Sequence, residues 1–154
     1  MARSTTRVEV TGLRELGAAL QELSQDVSER IIYNATLRAA KVVALRASVN
    51  APRSEKAHRV GKGGPVVQPG NLARGIATKR LKATQTGKAE YEVRWKAKKA
   101  GDPFYGLFVE FGTVGQAPTP FMRPAFDTSK RQALKEIQDT LARRIKLANR
   151  KVKK

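Results

Sequence analysis

Residues 104–126, FYGLFVEFGTVGQAPTPFMRPAF, decide how this chain is read. They hold six of its nine aromatic side chains and one basic residue, Arg123, in a sequence otherwise rich in Lys and Arg. Tyr105, Leu107, Val109 and Phe111 alternate with Gly106, Phe108 and Glu110, a period-two pattern that predicts a strand buried on at least one face. Gly112 and Thr113 end it. Between Val114 and Pro120 two prolines and a glycine remove ladder donors and favour an ordered, irregular loop. Phe121, Met122, Pro124 and Phe126 then form an apolar anchor, with Pro124 suited to the first turn of a helix.

Working upstream, Ala89 to Lys96 alternates Tyr91, Val93 and Trp95 with charged residues, which predicts a strand with one packed and one wet face. Trp95 reads as core on that alternation. Ile76 to Leu81 is a further strand, and turns are expected at Thr84–Lys88 and Lys98–Pro103, so three consecutive antiparallel strands follow. Arg7 to Val10 predicts another short strand. From Leu13 to Asn50, apolar residues recur at steps of three and four (Leu13, Leu16, Leu20, Leu23, Val27, Ile31, then Ala35, Val42, Leu45, Val49), the mark of one amphipathic helix or two. A break is expected at Ser24–Asp26, and Asn50, Ala51 and Pro52 stop the run. Downstream, Leu134, Ile137, Leu141, Ile145, Ala148 and Val152 form a narrow stripe on a C-terminal helix whose last residues, Asn149 to Lys154, are expected to fray.

The sum is an α+β fold: a long N-terminal helix or helix pair, an antiparallel sheet of three to four strands and a C-terminal amphipathic helix. Residues 1–6 form an N-terminal arm, 7–148 a single α+β domain with a flexible basic loop at 53–71, and 149–154 a basic tail. At 154 residues one domain is sufficient, and such a domain buries roughly 68–70% of its unfolded surface. Without cysteine there is no disulfide framework, and one histidine, His58, cannot build a Cys/His zinc site. The start, MARSTTR, has no apolar signal core, and no stretch reads as a membrane span.

The formal net charge is +18. Residues 51–100 carry thirteen basic and three acidic side chains, and 130–154 ten against two, whereas 101–129 carry one against three. Two separate regions around a nearly neutral segment thus either attract polyanions, with strong salt dependence, or simply keep a helical face solvated. No catalytic constellation emerges, because the carboxylates are scattered and none pairs with a nucleophile. GKGG at 61–64 lacks the spacing and the following Ser or Thr of a phosphate-binding loop, and His58 reads as a solvated loop residue. Glu110 alone among the acids sits in an apolar run. An ion pair with an arginine of a neighbouring subunit would satisfy it, and Arg123 is the candidate.

Y..FVEFGT (Tyr105, Phe108–Thr113) followed by APTPFMRPAF (117–126) resembles the neck and tail-completion protein family of long-tailed double-stranded DNA phages. Gly12, Leu13, Leu16, Leu20, Leu23, Ala51, Pro52, Gly70, Leu72, Arg74 and Ile76 also fit its pattern. The segment 53–68 is longer than that pattern, and Gly75 replaces a small polar residue. The resemblance implies a non-enzymatic virion protein without cofactor or metal. It would complete the tail and join it to the head, as a homo-oligomeric, hexameric ring around the DNA channel. Its partners would be itself, the adjacent neck and tail proteins and, by non-specific electrostatics, packaged double-stranded DNA, with no membrane. Assembly would take place in the host cytoplasm, and the final location is the virion neck or tail.

On this reading the subunit-interface candidates are Tyr105, Phe108, Glu110, Phe111, Gly112, Pro120, Phe121, Met122, Arg123 and Pro124. The basic candidates facing DNA or partners are Arg59, Lys62, Arg74, Lys79, Arg80, Lys82, Arg143, Arg144, Lys146, Arg150 and Lys151. Two alternatives stand beside it. A tail terminator protein would also form a ring, and its loss would give overlong tails. A non-virion, sequence-independent nucleic-acid-binding protein would explain the charge, but the sequence has no recognisable nucleic-acid-binding motif.

Overall fold

The computed structural model describes residues 12–59, 62–64, 66–81, 88–95 and 104–152, with side chains through 150. In chain order its elements are α1 (Leu13–Gln21), α2 (Gln25–Asn50), β1 (His58–Arg59), β2 (Val66–Val67), α3 (Asn71–Gly75), β3 (Ile76–Arg80), β4 (Tyr91–Trp95), α4 (Gly106–Phe111) and α5 (Met122–Val152). The α+β class holds. The expected strand at Arg7–Val10, the arm 1–6 and the turns at 84–88 and 98–103 lie wholly or largely outside the described residues.

The long apolar run breaks at Glu22–Ser24, two residues ahead of the expected Ser24–Asp26, and Gln25 and Asp26 already belong to α2. At the far end, Ala51 is extended at ψ 127, the conformation that a following proline imposes. The main seam joins α2 to α5. Ile31, Ala35, Ala39 and Ala47 recur at multiples of four along α2, and Ala125, Ser129, Ala133, Leu141 and Ile145 do the same along α5. Small residues let the two backbones approach, and side chains four apart lie on one face of each helix. The buried Ser129 hydroxyl donates to the Ala125 carbonyl at 2.6 Å, so its polarity is met inside the helix. Leu16, Ala19 and Leu20 of α1 cover one end of the seam, against Ile31, Ala35, Leu141 and Ile145.

A second core gathers Ala51, Leu72, Ala73 and Phe121, flanked by Ile76, Trp95, Tyr105, Val109 and Met122. Trp95 lies 5.8 Å from the Phe121 ring and packs, partly buried, against this core. The Ser48 hydroxyl donates to the Ala73 carbonyl at 2.8 Å and ties α3 to α2. Beside this core β3 and β4 pair antiparallel, from Ile76 opposite Trp95 to Arg80 opposite Tyr91. Tyr33 of α2 meets the Tyr91 ring edge-on at 6.4 Å, while the Arg80 guanidinium stacks 3.5 Å above Tyr33.

Three expectations are corrected. Among the described residues there is no three-to-four-stranded sheet but two two-stranded ribbons, β3–β4 and β1–β2. The second ribbon lies inside the 53–71 segment, which sequence presents as a plain loop. The predicted strand 105–111 is the helix α4. In a helix Gly106 and Glu110 are one turn apart, and both are buried. An alternating strand also puts these two on one side, so spacing alone does not separate the readings. Close packing does: a Cβ on Gly106 would lie 2.9 Å from Leu72 and 3.1 Å from the Trp95 ring. Finally, α5 extends through Val152, into the segment expected as a tail.

Candidate functional site

Segment 104–126 is built around the carboxylate of Glu110. Its Oε2 accepts the N–H of Phe121 at 2.7 Å and of Met122 at 2.9 Å, and its Oε1 accepts the N–H of Arg123 at 3.2 Å. These donors belong to the N-terminus of α5, which has no intrahelical acceptors to offer them. A side chain eleven residues upstream thus caps the helix, and its negative charge complements the positive end of the helix dipole. Burial works to raise the Glu110 pKa. The N–H groups of Met122, Phe121 and Arg123, with the charge of Arg123, outweigh it and hold the pKa below the ordinary value of 4.5. Glu110 is thus satisfied inside its own chain, and the expected ion pair with a neighbouring subunit's arginine is not needed to satisfy it.

The connection from α4 to α5 is tight. Gly112 adopts φ 76, ψ −179, a region open almost only to glycine, and a Cβ there would lie 2.8 Å from the Gln116 carbonyl oxygen. Thr113 and Gln116 then exchange both backbone hydrogen bonds, at 2.9 and 3.2 Å, leaving Val114 fully exposed at the tip. The Thr119 N–H returns to the Val109 carbonyl at 2.8 Å. With α4 fixed in this way, Phe104, Leu107, Phe108 and Phe111 fall at steps of three and four on its outer side, each between 45% and 66% exposed. Edge-on contact between Phe104 and Phe108, with centroids 6.4 Å apart, makes them one surface.

The proposed interface residues therefore divide. Phe108 and Phe111 are on the outer surface, with Pro120 and Arg123 also exposed, while Gly112, Met122 and Pro124 are partly covered. Tyr105 is half-buried against the second core. Phe121 is 0% exposed and Glu110 is buried, so both act as framework and have no surface to offer a partner. Sequence alternation missed Phe104, Leu107 and Phe126. Reading 104–111 at helical spacing would have found the first two.

The basic candidates do not form one group. Arg59 and Lys62 stand on the β1–β2 segment, Arg74 on α3, and Lys79 and Arg80 on β3, whereas Arg143, Arg144, Lys146 and Arg150 stand on α5. Arg59 and Arg74 donate to backbone carbonyls, of Gly64 at 3.2 Å and Pro69 at 2.8 Å, and Arg80 is committed to Tyr33. Arg144 lines a groove with Glu22 and Arg30, apart from the outer side of α5. Lys82 and the Lys151 side chain lie outside the described set.

A cleft of about 490 Å³ between the 52–72 segment and α4 is lined by Arg53, His58, Tyr105 and Phe108, and no carboxylate is among its lining residues. Among the described residues, no three His, Asp or Glu side chains gather as a metal site would require. No helix there is long and apolar enough to cross a membrane.

A family model described as "Bacteriophage HK97-gp10, putative tail-component" matches residues 14–112, more than half of the chain, from α1 through the end of α4. Neither the curated proteins nor the solved structures include a match to the chain.

Proposed function

Since this chain belongs to the HK97-gp10-like family of bacteriophage tail components, we propose that it is a structural, non-catalytic subunit of the virion neck and tail. Identical copies close into a hexameric ring around the DNA channel, complete the tail and join it to the head. The observation that supports this best is the exposed apolar side of α4, Phe104, Leu107, Phe108 and Phe111, on a short helix anchored by Gly106 and Glu110. A contiguous apolar surface marks an interaction site in a soluble protein, and rigid anchoring lowers the entropy lost on docking.

Charge favours a contact between like copies at this place. Two chains of +18 repel one another, and they approach at least cost where the local charge is nearly nil, as it is across 101–129. A contact between two different surfaces of each copy closes into a ring when its rotation closes, and the near-neutral segment supplies one of the two surfaces. The strongly basic segments 51–100 and 130–154 then face adjacent neck and tail proteins and packaged DNA, through phosphate contacts that carry no sequence preference.

Electron microscopy of particles made without the protein tests this. Tails of normal length that fail to join heads are the expected outcome. Overlong tails would make it a terminator instead, and purified virions lacking the chain would overturn the structural role altogether.

A further inference from the structure

We infer that the outward side of α5, carrying Arg131, Lys135, Arg143, Lys146 and Arg150, is the surface that meets the phosphate backbone of duplex DNA. This rests on the virion role only in taking packaged DNA as the polyanion, and α5 lies beyond the residues matched to the family. At 100° per residue the five side chains project within one third of the helix circumference; Lys135, Arg143, Lys146 and Arg150 face away from the seam of Leu141 and Ile145 with its partly buried flanks Ile137 and Ala148, and Arg131 lies at its side. All five are exposed, and none forms an ion pair among the described residues.

Charges on a merely solvated helix face usually alternate in sign, because glutamate and lysine four apart attract. Here Arg131 and Lys135 are four apart, as are Lys146 and Arg150, and Arg143 and Lys146 are three apart. All are like-charge neighbours, each pair disfavouring the isolated helix. Attraction to the negative C-terminal end of the helix accounts for Arg150, but that effect fades within the last turn and does not reach Arg131 or Lys135.

One carboxylate interrupts the stripe: Asp139 lies on the same face, four residues from both Lys135 and Arg143, and offsets part of their charge. Glu136 is turned to Arg38 at 3.4 Å and Asp127 to Lys130 at 3.4 Å. From Arg131 to Arg150 the stripe runs about 28 Å, the length of roughly eight base pairs. A slanted row of cations, none held in an ion pair with another described residue, suits a phosphate backbone, and Arg144, which lines the groove beside Glu22 and Arg30, lies outside it.

The test compares the full chain with two variants of equal net charge, reading binding of a short random-sequence duplex by fluorescence anisotropy over a salt series. One variant changes the five stripe residues to glutamine. The other makes the same change at Arg14, Lys41, Arg46, Lys56 and Lys88, all exposed and off the stripe. The stripe variant should bind at least about tenfold more weakly at physiological salt, with the slope of log K against log salt reduced by about two to four. The control should stay close to the native protein, and all three should melt at similar temperatures. Equal losses in both variants, or a native chain that does not bind the duplex, would overturn the assignment. Incorporation into virions is scored separately, so a stripe variant that still enters particles yet binds DNA like the native chain rejects this inference and leaves the structural role standing.

Discussion

Glu110 accepts the backbone N–H of Phe121 at 2.7 Å, so the only buried acid among the described residues fixes the start of the longest helix. The aromatic ring on the other side of that bond fills the second core against Trp95. One contact thus joins the outer helix α4, the core and α5.

Replacing Glu110 by alanine strands three N–H donors and leaves a gap where a carboxylate stood. Hydrogen bonds to a charged group contribute about 1.5–3 kcal/mol, and a helix cap about 1 kcal/mol. Urea denaturation should show a loss of about 2–4 kcal/mol. A change below about 0.5 kcal/mol would refute the capping role.

Acid should erase this advantage. The Glu110 pKa is lower in the folded chain than its ordinary 4.5, so its contribution is complete above that value and fades as pH falls through the folded pKa. Glu110→Gln removes that titration. The melting-temperature gap between native and Glu110→Gln proteins should be constant near neutrality and shrink below pH 4.5. A gap that widens on acidification would mean the sign is wrong.

Gly112→Ala places a methyl group 2.8 Å from a backbone oxygen at a φ of 76. Neither atom can move aside without opening the Thr113–Gln116 turn. The cost should be about 3 kcal/mol by chemical denaturation. Gly115→Ala, three residues on and with nothing within 4 Å of its added carbon, should cost far less.

Changing Leu107, Phe108 and Phe111 to serine removes apolar surface that already faces water. Stability should shift by no more than about 0.5 kcal/mol per site. Sedimentation should nevertheless show loss of higher oligomers. Unaltered assembly would exclude this side of α4 as the contact between copies.

Helix positions were legible in the sequence because α1, α2 and α5 repeat an apolar period over many turns, and the stop at Ala51–Pro52 is a local backbone effect. The β3–β4 ribbon was legible too, since Tyr91, Val93 and Trp95 alternate cleanly. The six residues of α4 were not. A run that short satisfies periods of both 2 and 3.6, and the deciding contacts of Gly106 with Leu72 and Trp95 come from distant segments. Glu110 stood out correctly as the anomalous acid, but its partners are backbone groups, which leave no mark in a residue pattern. Likewise the α5 stripe appears only when the helix phase is fixed by its buried side, which separates Arg144 from Arg143.

Capping by Glu110 also bears on genetics. An acid between Phe108 and Phe111 in an apolar run invites the label of a functional residue, and, on the proposed virion role, a mutagenic screen for sterile phage should recover it. Such alleles act by loosening the subunit, so they should be temperature-sensitive and suppressible by second-site stabilising changes. Lesions at Phe108 or Phe111 should be defective at every temperature and indifferent to such suppressors.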